Sequence, residues 1–202
     1  MEFPWDKFFR DRITKIFSQK NYILDIGGGL RIDERRNNRG KQNNFVDEYL
    51  PKVKYVVLDK VADYGPDIVG DIHNLPLEDE SVDAVICMNV LEHVEEPHKA
   101  MKEIYRVLKK GGYAYFDTPF IFFYHPMNGY YKDFYRFSRD AWEYMCKDFA
   151  HVEIQNVRGA LSTVMNLIPI FTKRTKLFDI IDRIFSKQNS NQTSAYRVFC
   201  IK

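Results

Sequence analysis

The chain has 202 residues, 45% of them hydrophobic and 29% charged, which excludes a disordered polymer and suits one domain with a substantial core. Lys and Arg total 30 against 28 Asp and Glu, so the formal charge is +2 and a nucleic-acid binder working by bulk electrostatics is not indicated. Cys87, Cys146 and Cys200 are odd in number and form no CxxC pair, which argues against a disulfide framework or a structural zinc site.

The N-terminus lacks the apolar core of a signal peptide, and no window has the unbroken apolar length of a membrane span. A cytoplasmic location is therefore expected. Phe8, Phe9, Ile13, Ile16 and Phe17 recur at helical spacing and predict an amphipathic helix over residues 3–20, packed on the domain edge. Contact with a membrane surface is the weaker reading of that stripe.

Residues 22–26 read as a short buried strand that stops at Gly27-Gly28-Gly29. The polar stretch 31–44 has few apolar anchors and predicts a long loop or lid. A short helix over 45–50 is expected to end at Pro51. Residues 54–59 and 67–71 read as strands, each ending in an acid, and 82–89 is the most apolar strand. Residues 96–109 carry an apolar helical face and predict a helix closed by Gly111-Gly112. Residues 113–117 form the next strand, stopped by Pro119. The segment 120–137 is densely aromatic, with an Asn128-Gly129 turn. Ser138 is placed to cap a helix running from Arg139 to about Phe149. Residues 151–157 alternate as a half-exposed strand does. Residues 160–185 are helical in character, interrupted at Pro169, with an apolar face expected to pack on the domain. Residues 195–201 read as a last strand.

Apolar strands separated by crossovers argue for a mainly parallel sheet covered on both faces, a Rossmann-like three-layer α/β sandwich. Right-handed crossovers gather the strand C-termini on one edge, where ligands bind. Asp25, Asp59, Asp71, Asn89 and Asp117 all fall at or near that edge. The glycine turn fails the dinucleotide fingerprint, because Ile32 stands at its sixth position, and no Gly-Lys-Ser/Thr follows as a phosphate loop requires. What remains is a tight turn that a ligand can approach closely. Asp59 suits a ribose diol and Asp71 an exocyclic amine, so a cationic nucleoside without phosphate matches the array.

At ILDIGGG (23–29), VVLDK (56–60), GDIHNLPLEDESVDAVICMNVLEHV (70–94) and LKKGGYAYFDTP (108–119) the sequence resembles the class I S-adenosylmethionine-dependent methyltransferases. Within them it looks like a small group with a His-Pro element and an aromatic-Arg-Phe-Ser segment, here 125–126 and 135–138, often met in cell-envelope or glycan biosynthesis. The resemblance implies one domain over 1–202, with a seven-stranded sheet and a reversed last hairpin. It implies S-adenosylmethionine as cofactor and S-adenosylhomocysteine as product. Cofactor contacts are implied for Asp25, Gly27, Gly28, Gly29, Asp59, Lys60, Asp71, Ile72, Asn89 and Val90, with Glu92 and His93 following at the substrate edge. Two departures stand out: the later glycine of the turn is absent, and the polar insert lengthens the path from Asp25 to Asp59.

The expected reaction is methyl transfer to oxygen or nitrogen of a small-molecule or glycan-like acceptor, chiefly a positioning task. A hydroxyl acceptor needs a base, and His125 and His93 are the candidates. Tyr124, Tyr130, Tyr131, Tyr135 and Arg136 are expected to line the acceptor pocket, the aromatic faces meeting a ring and Arg136 a carboxylate or phosphate. The segments 120–140 and 160–187 are read as acceptor-side or capping elements. No metal set is evident in the His, Cys and carboxylate spacings. The competing reading is a binding protein that keeps the fold and has lost turnover, motivated by the missing glycine and the insert. Nucleic-acid methylation is disfavoured, and peripheral membrane contact through 161–185 is a minor reading.

Overall fold

The computed structural model describes residues 2–32 and 43–202, so most of the lid expected at 31–44 lies outside the described residues. The elements are α1 (Pro4–Gln19), β1 (Tyr22–Ile26), β2 (Lys54–Asp59), β3 (Ile68–Val69), β4 (Val82–Met88), α2 (Pro97–Val107), β5 (Leu108–Pro119), α3 (Arg139–Met145), β6 (His151–Val157), α4 (Ala160–Asn166), α5 (Thr175–Ile184) and β7 (Ala195–Ile201). They build a seven-stranded sheet in the order β3-β2-β1-β4-β5-β7-β6. Strands β1 to β5 pair in parallel, and β7 runs antiparallel between β5 and β6. The expected α/β sandwich with a reversed last hairpin is what forms.

The continuous apolar run of β4 follows from its central place. Its side chains alternate across the sheet, and both faces are covered. Ala84 and Ile86 join Ile13, Ile16 and Phe17 of α1, with Tyr115 and Phe199. Val85 and Cys87 join Ala100, Met101, Ile104 and Val107 of α2, with Trp142 of α3. The N-terminal helix thus covers a sheet face, with Pro4 at its first turn, where a missing N–H costs nothing. Ser138 caps α3, its Oγ accepting from Ala141 N at 3.2 Å.

Five expectations shift. The helix over 45–50 is replaced by two 3-10 turns, Asn44–Val46 and Leu50–Lys52, and Pro51 sits within the second because its fixed φ suits a first turn. The strand expected at 67–71 shortens to Ile68–Val69, since beyond it Asp71 ties the chain into a turn through His73 N at 2.9 Å. The helix ending at Lys109 stops at Val107, α3 stops at Met145, and Gly111-Gly112 lie inside β5. There Gly111 takes φ +71°, and the register with β4 jumps from Val82↔Leu108 to Ala84↔Tyr113, a glycine-built irregularity.

The largest departure is α5. Its buried residues are Thr175, Asp179 and Asp182, while Leu177, Ile180, Ile184 and Phe185 are exposed. The polar face turns inward because α4 and the preceding turn offer partners there. Asp179 meets Arg158 at 2.6 Å, and Asp182 accepts from Leu161 N at 3.0 Å and Ser162 N at 2.8 Å. The apolar face therefore does not pack on the domain. Among the described residues no helix is long and apolar enough to cross a membrane.

Candidate functional site

Each parallel strand delivers its C-terminal residues to one cavity of about 1150 Å³. Gly27 and Gly29 follow β1, Asp59 and Lys60 end β2, Asp71 and Ile72 follow β3, and Asn89 and Val90 follow β4. His93, Tyr124, His125, Tyr130 and Tyr131 complete the part of its wall that the sequence singled out.

The turn itself is shaped by packing on β4. Gly27 has φ +77°, and a Cβ there would overlap Val90 Cγ2. A Cβ on Gly29 would come within 2.7 Å of Met88 Cβ. Glycine is required at both positions by the close approach of two strand ends. Gly28 and Asp25 are buried and do not line the cavity. Asp25 accepts from Leu30 N at 3.3 Å and from the Tyr55 hydroxyl, so it braces the turn from beneath. The expected gathering of three carboxylates around the pocket thus reduces to Asp59 and Asp71. Alternation along β1 sends Asp25 to the same face as Ile23, the face that α1 covers.

Asp71 is a fixed anion. Partial burial works against its charge, but hydrogen bonds from His73 N, Lys60 Nζ at 3.0 Å and His73 Nδ1 at 2.6 Å hold its carboxyl at about 2. His73 Nε2 accepts from Glu96 N, which leaves Nδ1 as the donor to Asp71. Asp59 Oδ1 accepts from Val61 N at 2.9 Å. Two acceptor groups, the apolar Ile72 and a glycine-walled turn fit a cationic nucleoside. Lys60, the cation beside the acids, is already tied to Asp71.

The aromatic segment forms a second wall. Phe134 N and Tyr135 N both donate to Glu92 O, at 2.8 and 3.2 Å, which docks the segment on the 3-10 turn Leu91–His93. The His93 and His125 rings meet edge to face with centroids 5.0 Å apart, and Tyr131 packs on His93 at 4.3 Å. Burial keeps the His93 pKa below its ordinary value, so its ring is neutral at pH 7. Glu92 is fully buried beneath both rings, and burial raises its carboxyl to about 8.

Tyr135 and Arg136 lie outside the cavity wall. The Tyr135 hydroxyl donates to Glu95 O at 2.9 Å. Arg136 grips Asp133 with two bonds of 2.5 and 2.7 Å and also donates to Phe123 O and Tyr135 O. Its guanidinium is spent inside the loop, where it holds the turn that carries His125. Asp133, which the sequence reading passed over, receives His125 N at 2.7 Å, and the Arg136 pair holds its carboxyl at about 2. The Asp-x-x-Arg spacing was its only visible signal. Tyr64 was missed as well: it lines the cavity and stacks on Tyr130 with centroids 5.6 Å apart.

Comparison with known proteins agrees with this architecture. A protein-family model described as a methyltransferase domain matches residues 32–116. A ubiquinone biosynthesis O-methyltransferase from Chromobacterium violaceum is 31% identical over 117 residues, 54% of this chain and 48% of that one. A chloroplastic 2-methyl-6-phytyl-1,4-hydroquinone methyltransferase from Oryza sativa subsp. japonica is 28% identical over 160 residues, 74% of this chain and 42% of that one. The chain therefore spans less than half the length of these two curated relatives. Among solved structures, a SAM-dependent methyltransferase from Archaeoglobus fulgidus superposes with a TM-score of 0.60 at 15% identity, covering 97% of this chain and 94% of that one. The chain thus shares the sheet order and fold of a SAM-dependent methyltransferase, and its residues 32–116 match the methyltransferase-domain model.

Proposed function

We propose that the chain transfers the methyl group of S-adenosylmethionine to an oxygen or nitrogen of a small-molecule or glycan-like acceptor and releases S-adenosylhomocysteine. The observation that carries this reading is a single cavity to which Asp59 and Asp71 contribute together with His93 and His125. When bound, the cofactor supplies an electrophilic methyl on a sulfonium, so no covalent nucleophile is asked of the protein.

The chain's own residues bind and orient. Asp59 accepts from the ribose hydroxyls, Asp71 from the adenine amine, and Ile72 offers an apolar surface to the base. Tyr124, Tyr130 and Tyr131 present aromatic faces to the acceptor ring. As the new O–C bond forms and the C–S bond breaks, a hydroxyl acceptor loses its proton, and Nε2 of His93 or His125 is at hand to take it. Arg136 and Tyr135 are positioning residues that hold the His125 loop. The relative named as a ubiquinone biosynthesis O-methyltransferase supports an oxygen acceptor, and the one named for a phytyl hydroquinone supports a ring-bearing one.

Calorimetry tests the reading: both cofactor and product bind at one site, and Asp59→Ala weakens binding at least tenfold, the loss of about 1.5–3 kcal/mol expected for a charged hydrogen bond. Folded protein that binds neither ligand would refute it. Transfer of a labelled methyl to any acceptor would eliminate the reading as a binding protein without turnover.

The surface of α4 and α5 supports peripheral contact with an anionic lipid surface. Val164, Ile170, Leu177, Ile184 and Phe185 are exposed, flanked by exposed Arg174, Lys176, Arg183 and Lys187, while Asp179 and Asp182 are buried. An apolar face edged by cations and free of exposed acid matches such a surface in charge.

A further inference from the structure

We propose that Glu92, His93 and His125 form a divalent-cation site in the wall of the cavity, a site that rests on the methyltransferase reading only for its role in the reaction. One ligand atom from each of the three lies within 4.8 Å of the others. Glu92 Oε1 stands 3.9 Å from His93 Nε2 and 3.9 Å from His125 Nε2.

The three side chains bring unmatched acceptors together. His93 Nδ1 lies 2.7 Å from Lys132 O, and a carbonyl only accepts, so the ring proton sits on Nδ1 and Nε2 bears a lone pair. His125 Nδ1 lies 2.9 Å from Phe123 O and 3.3 Å from Asp133 Oδ2. Those two acceptors outweigh the 3.4 Å approach of Arg136 Nη2 and fix the same tautomer. Two bare imidazole nitrogens and the buried Glu92 carboxyl group therefore face one another. Among the described residues, neither Glu92 oxygen has a hydrogen-bond partner, although the side chain is wholly buried. A buried carboxyl group without a hydrogen-bond partner is costly, and ionising it beside two imidazole lone pairs costs more.

A cation at the centre resolves both costs. Ligand bonds of about 2.1 Å place neighbouring ligand atoms roughly 3.0–3.4 Å apart, so the 3.9 Å gaps close by less than about 1 Å and the third, within 4.8 Å, by less than about 2 Å. The outer contacts are those of a ligating histidine, whose second nitrogen donates to a carbonyl or carboxylate. Two imidazoles and one carboxylate suit a first-row divalent metal such as Mn²⁺, Fe²⁺, Co²⁺ or Zn²⁺. Both histidines line the cavity, so the remaining coordination positions open towards the acceptor. A hydroxyl of the acceptor held there is acidified, and its proton leaves to water as oxygen takes the methyl and the sulfonium becomes a thioether. The histidines then serve as ligands, since a lone pair given to a metal cannot also take a proton.

The test uses the full chain freed of metal by chelation, titrated by calorimetry with Mn²⁺, Co²⁺ and Zn²⁺, with the visible spectrum of the Co²⁺ form recorded. The expected result is one ion per chain, weakened at least tenfold in Glu92→Gln and in His125→Ala, with S-adenosylmethionine binding retained in His125→Ala. Should Glu92→Gln not fold, His125→Ala on the partly exposed rim decides alone. Absence of ion binding overturns the proposal, as a proton on Glu92 would then suffice to relieve the lone pairs. Binding that survives both substitutions overturns it too. Asp59→Ala should bind the ion normally and lose the cofactor. Failure of the metal site and failure of the methyltransferase reading therefore give different patterns.

Discussion

Replacing Gly27 by alanine imposes two separable costs. The backbone there has φ +77°, where an L side chain costs about 1–2 kcal/mol. The new methyl would also overlap Val90 Cγ2, and overpacking of this kind costs about 1–3 kcal/mol. Gly27→Ala should therefore lose about 2–5 kcal/mol of stability. Val90→Ala removes the offending methyl and leaves Val90 Cβ 3.8 Å from the new atom, an ordinary contact. In the double variant only the backbone cost and the small cost of trimming Val90 remain. The double-mutant cycle should give a coupling of about 1–3 kcal/mol in favour of the pair. Equilibrium urea unfolding measures it. Both residues line the cavity, so calorimetry with S-adenosylmethionine should show binding weakened in Gly27→Ala and partly restored in the double variant. Additive single effects, within about 0.5 kcal/mol, would refute the packing account of the turn.

Arg136→Gln removes the partner that lowers the Asp133 carboxyl from 3.8 to about 2. Because the folded value is depressed, that stabilisation is present above the unfolded value and lost as pH falls through 2. The gap between wild type and variant should be up to about 2 kcal/mol larger at pH 6 than at pH 2, where the lost bonds to Phe123 O and Tyr135 O still count; a gap independent of pH would exclude the ion pair as its cause. Arg197→Leu strands the buried Asp117, its partner at 3.0 Å, and should cost about 3–5 kcal/mol, most of it recovered by adding Asp117→Asn; a loss below about 1 kcal/mol contradicts the pairing. Liposome flotation should carry the protein with anionic vesicles and lose it with Ile184→Asp/Phe185→Asp; equal behaviour of the two proteins removes the membrane reading.

Local patterning already contained the layered sheet, the α3 cap and the strand-end acids. These features are written in short windows: alternation and apolar runs in β4, helical spacing in α1 and α2, Ser138 before a helix, Asp59 and Asp71 after strands. Gly27 and Gly29 were legible as a tight turn, although their reason, the approach of Met88 and Val90, belongs to a strand some 60 residues on. Side-chain direction and long-range meeting were decided by the tertiary structure alone. Asp25 shares its neighbours' sequence context with the other acids, but pleating sends it under the turn, to Tyr55 and Leu30 N. Arg136 read as a ligand clamp until the fold brought Asp133 and Phe123 O to it. The apolar face of α5 read as core until Arg158 and the start of α4 claimed its polar face. Glu92 and His125 are 33 residues apart, and no spacing rule links them; only docking of the aromatic segment on Glu92 O makes them neighbours. The sequence by itself determined most of the strands and helices, though not all of their ends, because those choices depend largely on neighbours one to four positions away. Which polar groups satisfy one another depends on three-dimensional proximity, and that the tertiary structure decided.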